Sequence, residues 1–337
     1  MSERIECPEP GVYRDVPFSD YIRWDAASNS QLSHLVPPST PAHLKVYLDG
    51  DDDPTRARKE GRSLHAAVLE PHVFEAEYRT AEQCSATTQK GAQCSKPGNW
   101  PTKGGAWLCT THLDAANRAG KDPGIDPDVV TMTESEYRMV TSARDAILAH
   151  PVASGFFLVD DGEKEVSVVW DEEVAPGQYV RCKGRWDFYS PSLTGGTIMD
   201  LKGARDASKT GFARDAFKFG YYRQAALYLS AAKALGLPAA HYAILAVEKE
   251  APFAMMIHRI TEASIGALPD PGEPAFHTIR HVRALLRLYR QCRETGEYPA
   301  YDVRPHDLTL DDWQWSTMDA QTRQLEEQLH VEQEAAA

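Results

Sequence analysis

The sequence predicts a mixed α/β protein, and three observations carry that expectation. Thr133-Glu-Ser-Glu136 has the form of a capping box, and Met139, Val140, Ala143 and Ile147 follow at helical spacing, so a helix runs to about His150. Three runs rich in β-branched and aromatic residues come next, Glu165–Trp170, Tyr179–Tyr189 and Thr197–Gly203, close enough together to be antiparallel neighbours. A helical stretch from Ala207 to Leu235 then ends at Gly236 and Pro238, where a helix should stop, and strands return at His241–Glu248 and Phe253–Ile260.

The flanking elements follow the same logic. Ser28-Asn29-Ser30 can cap a short helix ending near Pro37, Pro41 can open a second, and Arg56–Glu70 reads as a third, stopped by Pro71. Asp51-Asp52-Asp53 reads as a solvated loop. Residues 82 to 128 turn rich in Gly, Lys, Thr, Cys and Pro and read as an insertion. A long helix is expected over about Phe276–Arg293, and the last twenty residues form a polar helix or frayed tail. No internal repeat is present.

The bulk composition narrows the class. At 337 residues, 42% hydrophobic and 25% charged, the chain can bury a sizeable core. It has no apolar run of transmembrane length and no apolar signal core at its start, so no membrane is expected and a cytoplasmic location is the default. A net charge of −13 excludes a protein that coats nucleic acid through a general basic surface. Between Arg181 and Arg223, however, nine lysines and arginines stand against four aspartates, a local excess that could draw an anionic polymer to one place. Arg280, Arg283, Arg287, Arg290 and Arg293 form a second basic stripe, equally readable as a solvated helix face.

The segment Tyr179–Tyr189 alternates. Val180, Cys182, Gly184, Trp186 and Phe188 make a mostly apolar face, and Arg181, Lys183, Arg185 and Asp187 a charged one. The next strand carries Ile198, Asp200 and Lys202 on one face. A hairpin centred between Leu193 and Thr194 sets Asp187 opposite Asp200 and Arg185 opposite Lys202. Carboxylates facing each other at roughly 5 Å repel. A hard divalent cation removes that penalty, and with Lys202 alongside, such a centre suits phosphodiester hydrolysis. The same residues also fit a surface ladder of salt bridges. Glu165, opening a strand near these residues, reads as a solvated acid, with a supporting acidic role the alternative.

Asp187 followed by Asp200-Leu201-Lys202 resembles the PD-(D/E)XK nuclease signature, with Trp186 where that pattern has proline. Gln224-Ala-Ala-Leu-Tyr228 is similar to the QxxxY element of its RecB-like branch, and Gly61-Arg-Ser-Leu-His65 to that branch's upstream helix. Ser30-Gln-Leu-Ser33, Tyr221-Tyr-Arg-Gln-Ala-Ala and Ala246-Val-Glu-Lys-Glu250 resemble RecE-type exonucleases (exodeoxyribonuclease VIII) of phage origin. The resemblance implies a PD-(D/E)XK nuclease core, a mixed central sheet flanked by helices. It implies that His65, Asp187, Asp200 and the Leu201 carbonyl bind Mg²⁺ or Mn²⁺, with Lys202 catalytic and Gln224 and Tyr228 supporting the lysine or the DNA backbone. Arg181, Lys183, Arg185 and Arg205 are the expected DNA contacts. The implied activity is exonucleolytic digestion of linear duplex DNA from its ends in recombination, by a homo-oligomer that feeds a single-strand annealing (RecT-like) protein. An endonuclease or CRISPR-associated nuclease of the same fold, or an inert DNA-binding scaffold, is the alternative.

Cys84, Cys94, Cys109 and His112 place four zinc-type ligands in the insertion, with glycines at 91, 98, 104 and 105 for turns. A structural Zn²⁺ is the expectation, with reduced loop cysteines the alternative. RecB-like nucleases that hold an iron–sulfur cluster carry three cysteines after the catalytic motifs; here only Cys292 follows them, which argues against one. The chain accordingly divides into an N-terminal helical part of the nuclease domain (1–81), a zinc-binding insertion (82–115), the nuclease core (116–318) and a polar tail (319–337).

Overall fold

The computed structural model describes residues 4–50, 56–261, 276–304 and 311–335. The expected acidic loop at Asp51–Asp53 lies outside them. In chain order the strands are β1 (Gly11–Tyr13), β2 (Tyr78–Thr80), β3 (Glu82–Gln83), β4 (Pro97–Gly98), β5 (Trp100–Pro101), β6 (Trp107–Leu108), β7 (Val130–Met132), β8 (Glu163–Ala175), β9 (Gln178–Ser190), β10 (Thr197–Ala204), β11 (His241–Glu248) and β12 (Met255–Thr261). The helices are α1 (Phe18–Arg23), α2 (Asn29–Ser33), α3 (Pro41–Asp49), α4 (Arg56–Leu69), α5 (Pro71–Glu77), α6 (Thr110–Arg118), α7 (Glu134–Ala149), α8 (Lys209–Lys218), α9 (Tyr221–Ala234), α10 (Phe276–Thr295) and α11 (Asp312–Ala335). Two compact units result, Met1–Pro299 and Ala300–Ala337.

In the larger unit a six-stranded sheet has the order β1-β8-β9-β10-β11-β12, antiparallel except where β10 meets β11. The parallel step needs a crossover, and α8 and α9 supply it. Alternation on β11 separates two cores. Tyr242, Ile244 and Ala246 join Trp186, Ile198 and the apolar face of α9, while Ala243, Leu245 and Val247 join Phe188, Met199, Leu201, Leu64 of α4 and Ile147 of α7. The sheet is therefore covered on both faces. The smaller unit carries α11, whose Trp313 and Trp315 are exposed. Among the described residues no helix is long and apolar enough to cross a membrane.

The caps form as their residues dictate. Ser28 with Gln31 and Thr133 with Glu136 make reciprocal capping boxes at the starts of α2 and α7. Pro71 both stops α4 and opens α5.

The structure corrects four expectations. The helix over 207–235 is two helices, because Gly220 adopts a left-handed backbone (φ 72°) between α8 and α9. Phe188 leaves the apolar face of β9: Trp186 and Phe188 are two residues apart yet lie in opposite cores, so the strand rolls over at Asp187. The hairpin register is as the spacing predicts at Ser190↔Thr197, Tyr189↔Ile198 and Phe188↔Met199, but the ladder then stops. Asp187 and Asp200 are not a cross-strand pair, nor are Arg185 and Lys202. The reason is local: Leu201 N donates to Asp187 Oδ2 at 2.7 Å, so a side-chain carboxylate replaces the backbone carbonyl and the strands part. Finally, the charged face of β9 is covered by the N-terminal segment, which pairs β1 with β8 and bridges Ala27 to Cys182. Sequence periodicity gave no sign of that short strand.

Candidate active site

The parting of β9 and β10 creates the site. Leu64, Val68 and Leu69 seat α4 on the core beneath β10, and the intervening His65 turns its Nε2 to the Leu201 carbonyl oxygen at 2.7 Å. The same nitrogen lies 3.5 Å from Asp187 Oδ2. Glu165 joins from β8, with its backbone at φ +52°, a strained conformation for a side-chain-bearing residue in mid-strand. Ligand atoms of His65, Glu165 and Asp187 all fall within 4.8 Å of one another. Asp200 is not in that trio; Lys202 Nζ pairs with its Oδ2, and Gln224 Nε2 donates to its Oδ1 at 2.9 Å.

Burial makes this charge density costly. Desolvation and the charge of Asp200 push the Asp187 carboxyl well above the usual carboxylate range. Desolvation and the charge of Asp187 raise Glu165 to about 7. Desolvation and the Lys202 ammonium lower His65, so its imidazole is neutral. Burial lowers Lys202 as well, but Asp200 and Asp187 outweigh it and hold the lysine protonated above its ordinary range. Crowded acids, a neutral imidazole and a backbone carbonyl are the donor set of a hard divalent cation, whose charge offsets the repulsion.

The supporting residues are placed as follows. Tyr228 OH donates to Arg185 O at 3.1 Å from α9, and its ring lies so close to β9 that a Cβ at Gly184 would come within 2.9 Å of Cε1. Tyr228 is therefore buried structure under the site. Tyr221, which the sequence offers only as the head of the Tyr221-Tyr-Arg-Gln-Ala-Ala motif, presents its ring 5.5 Å from Lys202 Nζ. Glu165, read from the sequence as a solvated acid before a supporting one, is also part of the cluster. Its signal was the Pro176-Gly177 turn, which folds β8 onto β9 and pairs Val166 with Trp186 and Lys164 with Phe188, bracketing Glu165 and Asp187.

Three of the four expected DNA contacts are engaged inside the protein. Arg181 pairs with Asp171 and donates to Pro8 O. Lys183 is 3% exposed and donates to Tyr21 O, Ile22 O and Trp24 O at 2.7 to 3.0 Å. Arg185 pairs with Glu165 and donates to Val16 O. Arg205 alone of the four is exposed, just past β10. In the second basic stripe, Arg283 meets Glu172, Arg287 donates to Val174 O, and Arg293 meets Asp25.

A second ligand cluster stands apart in sequence. Cys84 Sγ and Cys109 Sγ lie 3.4 and 3.2 Å from His112 Nδ1, and with Cys94 all four ligand atoms fall within 4.8 Å. This cluster could hold a metal. Among the described residues these are the two groups of three or more such side chains.

Residues 117–301, more than half the chain, match the PDDEXK-like domain of unknown function (DUF3799). The chain belongs to that family. Its members share the PD-(D/E)XK nuclease-like fold, which generally works with divalent metals. No curated protein matches. Among solved structures, the chain is similar to a candidate exonuclease from Eubacterium rectale, with 14% identity over 85% of this chain and 91% of that one and a TM-score of 0.48. It is also similar to a protein named SSO0001, with 16% identity over 52% of this chain and 80% of that one and a TM-score of 0.27.

Proposed function

We propose that this PDDEXK-like protein is a divalent-metal-dependent exodeoxyribonuclease of the RecE type, hydrolysing linear duplex DNA from its ends in recombination. One observation carries the hydrolytic reading: His65, Glu165 and Asp187 converge where β9 and β10 separate, with Lys202 held on Asp200 beside them. Solvated ladders of surface charge do not look like this, because Asp187 and Asp200 are 7% and 2% exposed.

His65 Nε2, Asp187, Asp200 and the Leu201 carbonyl are the proposed holders of Mg²⁺ or Mn²⁺, with Glu165 as an added carboxylate. Such an ion, when bound, acidifies water and screens phosphate charge. The chain's own groups do the rest. Gln224 anchors one oxygen of Asp200, which leaves the other to fix Lys202. Lys202 stays protonated and points a donor at the charge that develops on the phosphoryl oxygens. Glu165 gives up its proton near neutrality, completing the anionic lining. Arg205, exposed three residues beyond Lys202, is the proposed backbone contact that survives from the sequence reading.

The exonuclease reading rests on likeness to RecE-type sequence motifs, which also suggests a homo-oligomer working with a single-strand annealing protein. The test is to incubate the protein with linear and with covalently closed duplex DNA, in Mg²⁺ or chelator, alongside Asp200→Ala. Loss of the linear DNA only, in Mg²⁺ only and not with the variant, is expected. Cutting of the closed circle replaces the exonuclease with an endonuclease, and survival of both substrates leaves an inert DNA-binding scaffold.

A further inference from the structure

The segment from Glu82 to Arg118 has almost nothing that ordinarily folds a chain. Its strands β3 to β6 are two residues each, paired as β3 with β4 and β5 with β6. Isolated ladders of that length are not stable in water. Apart from Trp107 and Pro101, the buried apolar side chains here are Cys84, Cys94 and Cys109 themselves, and these form their own cluster with Ala86 packed against it. Three thiols cannot close into disulfides without leaving one over, and all three are free. A hydrophobic core made of cysteines would contribute little, since each buries only a small side chain.

We propose that this segment is a zinc module, folded around one Zn²⁺ held by Cys84, Cys94 and Cys109 through Sγ and His112 through Nδ1. The local geometry is built for it. Cys109 is the residue before α6, and His112 lies in the helix's first turn, so a two-residue spacer brings sulfur and nitrogen together at 3.2 Å. Two ligands of a tetrahedral zinc, at about 2.3 Å for sulfur and about 2.0 Å for nitrogen, stand roughly 3.5 Å apart, close to the 3.2 and 3.4 Å found here. Cys109 N donates to Cys84 Sγ at 3.3 Å, the kind of amide contact that supports a metal thiolate. The backbone converges on the same point, with Cys84 N bonded to Lys96 O and Cys94 N to Ala86 O. At Gly98 a Cβ would meet Trp107 Cβ at 2.7 Å, so only glycine lets β4 lie this close to Trp107, two residues before Cys109. Three soft sulfurs with one imidazole select zinc over the hard cations that suit the carboxylates elsewhere in the chain.

The module is also tethered as a unit. β2 and β7, on either side of it in sequence, pair in parallel, and Tyr78 and Met132 from that pair pack on Ala66 and Ala67 of α4, directly after His65. The zinc site thus lies within an insertion whose stem leans on the helix that carries His65, while the module's own fold depends on its metal.

Elemental analysis of the full-length protein, purified under reducing conditions and dialysed against Mg²⁺, tests the assignment. One equivalent of zinc is expected, retained in His65→Ala and lost in Cys94→Ser. Replacing it with Co²⁺ in the unmutated protein, which avoids any folding defect of a variant, should give thiolate charge-transfer and tetrahedral cobalt bands. Trypsin should then cut after Lys90 or Lys103 only once the metal is withdrawn. A protein without zinc and without those cobalt bands, full zinc retained in a Cys94→Ser and Cys109→Ser double variant, or unchanged trypsin protection after metal withdrawal would each overturn the proposal.

Discussion

The two ligand clusters are held in place by opposite means. His65, Glu165 and Asp187 sit on a helix and two strands whose other side chains fill large cores, so their positions are dictated by packing that needs no ion. Cys84, Cys94, Cys109 and His112 sit on two-residue strands and a helix start, and they are themselves the core. One centre is a crowd of acids in a rigid frame; the other is a frame made by its ligands. Chelation should therefore cost the first its chemistry and the second its structure.

The sharpest way to test that contrast is to remove function without removing fold. In Lys202→Ala, metal-dependent loss of linear DNA should fall by about 10² to 10³-fold, the usual scale for a donor aimed at developing charge. Thermal unfolding in saturating Mg²⁺ should hardly move, because the ion then supplies the positive charge that Asp200 loses with the lysine, and Gln224 still holds its Oδ1. A rate that survives within a few-fold would remove Lys202 from the chemistry, and a collapse of the fold would contradict the rigid frame.

The frame itself can be broken from below. Lys183 is a buried cation whose three donors satisfy the carbonyls at the end of α1, and burial brings its pKa down to about 8. Lys183→Met keeps the apolar stem but strands those carbonyls, and should cost about 3 kcal/mol in denaturant unfolding. Zinc content should stay unchanged, because the lysine touches nothing in the module. A loss under about 0.5 kcal/mol, the scale of an ordinary surface change, would show that the N-terminal segment is not fixed this way.

What could be read from the sequence follows the same divide. The strand pair and its register were legible because alternation and a short loop fix pairing, and the first three pairs fall where a turn centred at Leu193–Thr194 puts them. The break after Phe188 was not, since it depends on a carboxylate taking a backbone hydrogen bond. Nor was the fate of Arg181, Lys183 and Arg185: a charged strand face looks alike whether it meets DNA or the carbonyls of a distant segment. The cysteine cluster was legible from ligand type alone. Glu165 was legible only as a solvated or supporting acid, because its place beside Asp187 comes with a left-handed residue in mid-strand, which no periodicity announces.

A smaller effect probes the ring beneath the site. Tyr228→Phe removes the hydroxyl bonded to Arg185 O but keeps the packing against Gly184, and should destabilise by about 1 kcal/mol. The rate of DNA hydrolysis should follow unmutated protein within a few-fold. A large loss of rate at unchanged stability would mean that the tyrosine contacts the substrate instead.

The smallest expected effect is a pH dependence of Mg²⁺ stabilisation, which only the carboxylate centre should show. Glu165 has a folded pKa of about 7 against an ordinary 4.5, and Asp187 is shifted the same way. Between those values the unfolded chain has released protons that the folded chain still holds, so metal-free stability falls as pH rises from about 4.5 to about 7. A divalent ion binds the deprotonated acids and reverses that loss. The rise in unfolding temperature produced by saturating Mg²⁺ should thus be larger at pH 8 than at pH 5.5, and Glu165→Gln should flatten the difference. An equal rise at both pH values, with Glu165 intact, would mean that the stabilising ion sits away from this carboxylate.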